Sequence, residues 1–195
     1  MPEQSFGNEG INDGQTILDP QLVEPPAKSE PEPPARSAAF IFPKYEAAMV
    51  LATFCDRGHP NPTQRTVCHL CGAPVVSEPR RIERPQLGWA VVQRSKRIPV
   101  ESPLVFGRRP DPARLRLRES AQLVPLPYAH VSRTHLVLIP DGWMVLARDL
   151  GSKNGTYLRR RSQQSMRLPE REVPLMAGDV LDLGAGVFIE MERLP

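Results

Sequence analysis

The sequence predicts an all-β protein, and three observations carry that prediction. From Leu87 onward, short apolar runs rich in Val, Ile and Leu alternate with breaks containing Gly, Pro, Asp and Asn. No helical period is sustained anywhere in the chain. Residues 136–139, the Pro140-Asp141-Gly142 turn and residues 143–147 read as strand, tight turn, strand. Short strands at this spacing, separated by turn signals, are the pattern of a β-sandwich.

Strands are expected over 87–94, 97–100, 103–107, 121–126, 134–139, 143–149, 155–158, 172–175, 179–183 and 187–192. Leu136, Leu138, Trp143, Val145, Phe188 and Ile189 are expected in the core. Met176-Ala177-Gly178-Asp179 and Leu183-Gly184-Ala185-Gly186 read as hairpin turns. A glycine pair with no helix after it is no nucleotide motif.

Ahead of the sandwich the composition changes twice. Residues 1–39 hold seven of the chain's 23 prolines, many acids and no apolar periodicity. Such a tail cannot bury enough surface to offset chain entropy and is expected to be disordered. Residues 40–76 carry all three cysteines, and residues 77–86, rich in charge and proline, read as a linker to the domain at 87–195. The net charge of +3 divides into −5 over 1–47, +2 over 48–86 and +6 over 87–195. A basic domain behind an acidic tail suits a binder of anionic peptides, or of nucleic acid through a clustered positive patch. Arg159-Arg160-Arg161 reads most simply as a solvated loop. No run approaches the ~20 apolar residues of a membrane span, and Met1-Pro2-Glu3-Gln4 lacks the basic start of a signal peptide. A soluble, cytoplasmic protein is expected.

The cysteines follow Cys55-x3-His59-x8-Cys68-x2-Cys71, with Gly72 next. A Cys-x2-Cys-Gly turn sets two thiolates on one side of a knuckle, and tetrahedral zinc takes four sulfur or nitrogen ligands. One structural Zn2+ per chain is expected on Cys55, His59, Cys68 and Cys71. Pairing into disulfides leaves one thiol over, and ordinary reduced cysteines are the other reading. His69 is an alternative ligand, cramped between Cys68 and Cys71. Four protein ligands leave no open position for water, so the site is not catalytic. The apolar runs at 38–42 and 49–52 are expected to pack on the knuckle or the sandwich, with a partner-docking face as the alternative.

Two segments flank the hairpin: Val131-Ser132-Arg133-Thr134-His135 before it and Asp149-Leu150-Gly151-Ser152-Lys153-Asn154-Gly155-Thr156 after it. The hairpin brings Ser132, Arg133, Lys153 and Asn154 to one end of the sheet. A hydroxyl, a guanidinium, an ammonium and a carboxamide suit a phosphoryl group with its acceptor oxygens. None is a nucleophile with an adjacent base, so the site reads as a binder and not an enzyme. A third element, the apolar run 104–106 ending in Gly107-Arg108, joins them.

Gly-Arg, then Ser-x-x-His, then Gly-Ser-x-Asn-Gly-Thr resembles, in that order, the forkhead-associated (FHA) domain, a phosphothreonine-binding β-sandwich. The resemblance covers roughly residues 87–193. It implies that Arg108 and Ser132 hold the phosphate with Arg133 and Lys153 close by, and that Asn154 grips the ligand backbone. Gly107, His135, Gly155 and Thr156 match the family's structural positions. Two features depart from the pattern. Between Arg108 and Ser132 lie 23 residues, among them Arg109, Arg114, Arg116 and Arg118. Lys153 stands where a small hydroxyl residue often selects threonine over serine. The Cys/His segment resembles the small zinc-ribbon-type knuckles that precede FHA domains in some bacterial proteins.

The function so implied is a non-catalytic, phosphothreonine-reading adaptor that recognises a partner phosphorylated by a Ser/Thr kinase. Thr16, with Asp19 three residues on, is a candidate phosphosite through which the tail would occupy the chain's own site. The alternative is a nucleic-acid-associated factor with a zinc knuckle, and the scarcity of aromatics among the basic residues of the knuckle argues against it.

Overall fold

Five apolar residues in a row, Leu136 through Pro140, are what a strand shows when both its faces are covered. In the computed structural model these residues lie in β8 (Leu136–Asp141), the middle strand of a five-stranded sheet ordered β12 (Val173–Pro174), β9 (Met144–Asp149), β8, β6 (Leu104–Gly107) and β7 (Gln122–Pro125). The structure describes residues 48–111, 113, 115 and 121–195. The tail 1–39 with Thr16, the apolar run at 38–42, and Arg114, Arg116 and Arg118 lie outside the described residues.

A six-stranded antiparallel sheet covers one face. Its order is β11 (Met166–Arg167), β10 (Tyr157–Arg159), β13 (Val180–Asp182), β14 (Phe188–Glu192), β4 (Trp89–Val92) and β5 (Lys96–Pro99). Between the sheets, Leu136 and Leu138 of β8 pack with Phe106, Val145, Leu181 and Ile189 in one buried cluster. The result is the expected β-sandwich. All ten expected strands are present, each within two residues at either end. β11, only two residues long, has no counterpart among them. Two expected core residues sit at the margin. Trp143 is partly buried, and Phe188 is half-buried beneath the guanidinium of Arg94 at 5.5 Å.

The long segment after Arg108 has a topological cause. β6 and β7 run parallel, and a parallel pair needs a crossover of a dozen or so residues where an antiparallel pair needs two. Residues 108–121 supply it. Leu115 of that crossover is 2% exposed and lies on the outer face of the sheet with Val105, Val137 and Ile139. The alternate residues of β8 are therefore buried on the side away from the sandwich core.

The cysteine region builds a third sheet, β2 (Pro60–Pro62), β1 (Met49–Phe54) and β3 (Arg80–Glu83), antiparallel throughout. β3 falls inside 77–86, the expected linker, and pairs along β1 from Met49↔Glu83 to Ala52↔Arg80. On β1, Val50 and Ala52 are buried while Met49 and Leu51 are exposed, the alternation of a half-covered strand. This sheet is joined to the sandwich by hydrogen bonds. Trp143 Nε1 donates to the Leu51 carbonyl at 2.9 Å, and Arg84 donates to the carbonyls of Pro140 and Glu101, both at 3.1 Å. Among the described residues no helix is long and apolar enough to cross a membrane.

Candidate functional site

At the end of β6 the chain must pass very close to the loop before β8. A Cβ on Gly107 would lie 2.1 Å from the Arg133 carbonyl oxygen, so only glycine fits. That closeness lets Arg108 N–H donate to the Ser132 carbonyl at 2.9 Å and Arg109 N–H to the Arg133 carbonyl at 3.0 Å. The two cation-bearing loops are thereby stitched together.

His135 fixes the same loop from below. It is fully buried, its backbone N–H donates to the Phe106 carbonyl, and its Nδ1 accepts the Ser132 N–H at 3.2 Å. A ring nitrogen that accepts carries no proton, so the neutral ring holds its hydrogen on Nε2, 3.8 Å from Asp149 Oδ2. Burial pushes the imidazole below its ordinary value, against the Asp149 carboxylate and a backbone bond to Gly155.

Across the hairpin, Asp149 organises the second loop. Its Oδ1 accepts the Ser152 N–H at 2.8 Å, and its Oδ2 accepts the hydroxyls of Ser152 and Thr156, both at 2.7 Å. Asp149, Ser152 and Thr156 are all buried, and Gly155 turns with φ +75°. Sequence reasoning placed Thr156 among structural positions but passed over Asp149. Its signal was an aspartate at a strand end followed by Leu-Gly-Ser, which caps its own turn. Lys153 N–H reaches across to Ser132 Oγ at 3.0 Å, and Asn154 Nδ2 donates to the His130 carbonyl at 2.9 Å. These bonds close the two loops into one wall.

The loops enclose an open groove of about 660 Å3. Arg108, Ser132, Arg133, Lys153 and Asn154, the five residues expected at a phosphopeptide site, all line it. His130 and Thr134 line it too, and no carboxylate does. Arg108, Arg133 and Lys153 are exposed, and no carboxylate pairs with them among the described residues. Ser132 Oγ already accepts a hydrogen bond, which leaves its proton to donate outward. Asn154 has committed one amide hydrogen and keeps its carbonyl oxygen as an acceptor. Chemically the groove offers three cations, a hydroxyl donor and a carboxamide to an anionic ligand with neighbouring peptide groups.

The remaining basic run has other work. Arg159 pairs with Asp182. Arg160 grips the buried Asp179 with two bonds, at 2.8 and 2.6 Å, and also donates to the Pro174 carbonyl. One of the three guanidinium groups therefore joins neighbouring strands and another holds a turn.

At the other module, Cys55, His59, Cys68 and Cys71 converge, their ligand atoms all within 4.8 Å of one another. A tetrahedron with arms of about 2.3 Å to sulfur and about 2.0 Å to nitrogen has edges near ~3.8 Å between sulfurs and ~3.5 Å from sulfur to nitrogen. Here Cys55 Sγ and Cys71 Sγ are 3.8 Å apart. His59 Nδ1 lies 3.6, 3.3 and 3.8 Å from the sulfurs of Cys55, Cys71 and Cys68. The cluster fits a metal ion. His69 faces away, its Nδ1 bonded to Asn61 Oδ1 at 2.8 Å, so it is not the fourth ligand. Asn61, fully buried, also bonds the His59 carbonyl and the His69 N–H, tying one knuckle to the other. Burial pushes the Cys68 thiol up, but backbone bonds to Leu70 and Cys71 and the Asn61 side chain outweigh it and bring it down to about 6. For Cys71 a backbone bond to Ala73 works downward, while burial and the thiols of Cys68 and Cys55 hold it above its ordinary value.

The model of the FHA domain matches residues 104–184. Among solved structures, the chain is similar to Mycobacterium tuberculosis EmbR in complex with a low-affinity phosphopeptide, at 20% identity over 57% of this chain and 26% of that one, TM-score 0.42. The match thus spans about a quarter of EmbR. It is similar to an FHA domain studied for phosphothreonine-dependent interactions, at 28% identity, 55% and 96% coverage and TM-score 0.40. It is also similar to the FHA domain of CT664 from Chlamydia trachomatis, at 24% identity, 53% and 94% coverage and TM-score 0.39. No curated protein matches the chain. The family match covers the very stretch in which Gly-Arg, Ser-x-x-His and Gly-Ser-x-Asn-Gly-Thr close around one groove, and over those residues the chain matches the FHA domain.

Proposed function

We propose that the chain is a non-catalytic adaptor that binds phosphothreonine peptides through the groove between the loops at 107–109, 130–134 and 150–154. The observation that carries this reading is a groove lined by Arg108, Arg133, Lys153 and the Ser132 hydroxyl with no carboxylate among them. A phosphothreonine brings a charge near −2 and three acceptor oxygens, which such a set complements. The partner is a protein phosphorylated by a Ser/Thr kinase in the cytoplasm. The chain's own tail, phosphorylated at Thr16, would be a tethered competitor for the same groove. The Cys55–His59–Cys68–Cys71 cluster holds one structural zinc ion, whose binding supplies much of the folding free energy of a segment too small for its own core.

The test is binding of the full chain to a degenerate phosphothreonine peptide library and to its unphosphorylated twin. Strong retention of the first and none of the second is expected. Arg108→Ala and Ser132→Ala should each weaken retention by about ten- to hundredfold, the loss of one charge-assisted bond of about 1.5–3 kcal/mol. Equal retention of the two libraries would overturn the reading.

A further inference from the structure

β11 places one more cation beside the groove. The register Tyr157↔Arg167 and the bond from Leu168 N–H to the Thr156 carbonyl, 2.8 Å, fix the Arg167 backbone opposite the strand that leaves the Asn154-Gly155 turn. From there the guanidinium folds back over Gly155. A Cβ added to that glycine would meet Arg167 Nε at 2.5 Å and Cζ at 3.0 Å. Gly155 thus does two things: it adopts φ +75°, and it leaves room for an arginine against the far side of the wall that Lys153 and Asn154 form. Arg167 is exposed, and no carboxylate pairs with it among the described residues. Arg159 and Arg160, its neighbours on the same sheet, both have acidic partners.

A single phosphate dianion is already matched by the three cations in the groove. Arg167 stands outside that set, across Gly155 from the edge of the groove that Lys153 and Asn154 line. Resting on the phosphopeptide reading above, we propose that Arg167 forms a second anion subsite. It selects ligands that carry a carboxylate or a second phosphate flanking the phosphothreonine. The carboxylate and phosphate sources share one chemistry, an oxyanion held by a guanidinium fork.

Phosphothreonine peptide libraries with degenerate flanks, captured on the full chain and sequenced, test it. Wild type should enrich Asp, Glu or phosphoserine at one flanking position by about two- to fivefold, the range of an exposed ion pair. Arg167→Gln should remove that enrichment while total phosphothreonine retention stays high, Arg167→Lys should keep most of it, and Arg167→Glu should turn it toward Lys and Arg. Comparing phosphoserine with Asp and Glu at that position separates the two sources. Arg161→Gln, an exposed arginine away from the groove, controls for general charge. Enrichment that survives Arg167→Gln, or falls equally with Arg161→Gln, would overturn the subsite while leaving the phosphothreonine reading intact. Loss of discrimination between phosphothreonine and threonine in wild type would remove the reading itself.

Discussion

Replacing Asp149 with alanine tests whether one carboxylate shapes the loop that carries Lys153 and Asn154. The change deletes the acceptor for three donors: the Ser152 N–H, the Ser152 hydroxyl and the Thr156 hydroxyl. Ser152 is 6% exposed and Thr156 fully buried, so water cannot replace the lost partner without opening the loop. An unsatisfied buried donor costs about 1–3 kcal/mol, giving a sum of about 3–9 kcal/mol. Relaxation of the loop and relief from burying a charge reduce this, and a net loss of about 3–4 kcal/mol is expected. Asp149→Asn keeps the shape and one acceptor, and its amide can donate to hydroxyls that turn around, so its loss should be about 1–2 kcal/mol. Urea melts followed by circular dichroism measure both, with metal retained throughout. Coupling between Asp149→Ala and Thr156→Val in a double-mutant cycle should exceed about 1 kcal/mol. If Asp149→Ala loses less than about 1 kcal/mol, the glycines at 151 and 155 set the loop by themselves and the carboxylate is a bystander.

Three further outcomes are expected. Gly107→Ala should lose at least about 2 kcal/mol and most phosphopeptide binding, because the atoms its Cβ meets are the backbone of Arg133 and Thr134 and cannot turn aside; a melt unchanged from wild type would contradict this. Chelation should release one zinc per chain and unfold the Cys55–Cys71 turns yet leave the groove competent, since a hairpin of two six-residue strands, about 20 Å long, separates Trp143 from the loops that line the groove. Trp143 fluorescence should report the loosened Leu51 contact, and loss of peptide binding in step with zinc would refute the separation. His135, held below 6.5 by burial, binds its proton less readily folded than unfolded. It contributes stability that is complete above about pH 6.5 and lost as the pH falls toward its lower folded value, with a slope of at most about 1.4 kcal/mol per pH unit. An imidazole titration by NMR with its midpoint above 6.5 would reverse that sign.

Strand positions were legible because most expected strands carry apolar residues close to Gly, Pro or Asp, and the sandwich covers one or both faces of nearly all of them. The groove residues were legible for a related reason: a hairpin must bring its two flanking loops together whatever the rest of the fold does. What the sequence did not display was anything requiring pairing between distant segments. β3 reads as charged because Arg80, Arg81 and Glu83 are exposed, and its strand character comes from lying along β1. β11 has two residues and no apolar pattern, so Arg167 and its place over Gly155 could not be read. The crossover was visible as extra length, but its cause, a parallel β6–β7 pair, was not. His59 was preferred to His69 on spacing alone, and the Asn61 bond that holds His69 away from the cluster was not readable.

Leu115 gives the crossover a role beyond connection. Without it the outer surface of the five-stranded sheet would present Val105, Val137 and Ile139 side by side on adjacent strands, a dry β-branched stripe open to any other extended chain. Leu115 therefore covers a stripe on which a second chain could otherwise settle. Replacing Leu115 with serine would leave the groove residues in place and favour self-association through the uncovered stripe. That gives Leu115 a part in solubility as well as in packing.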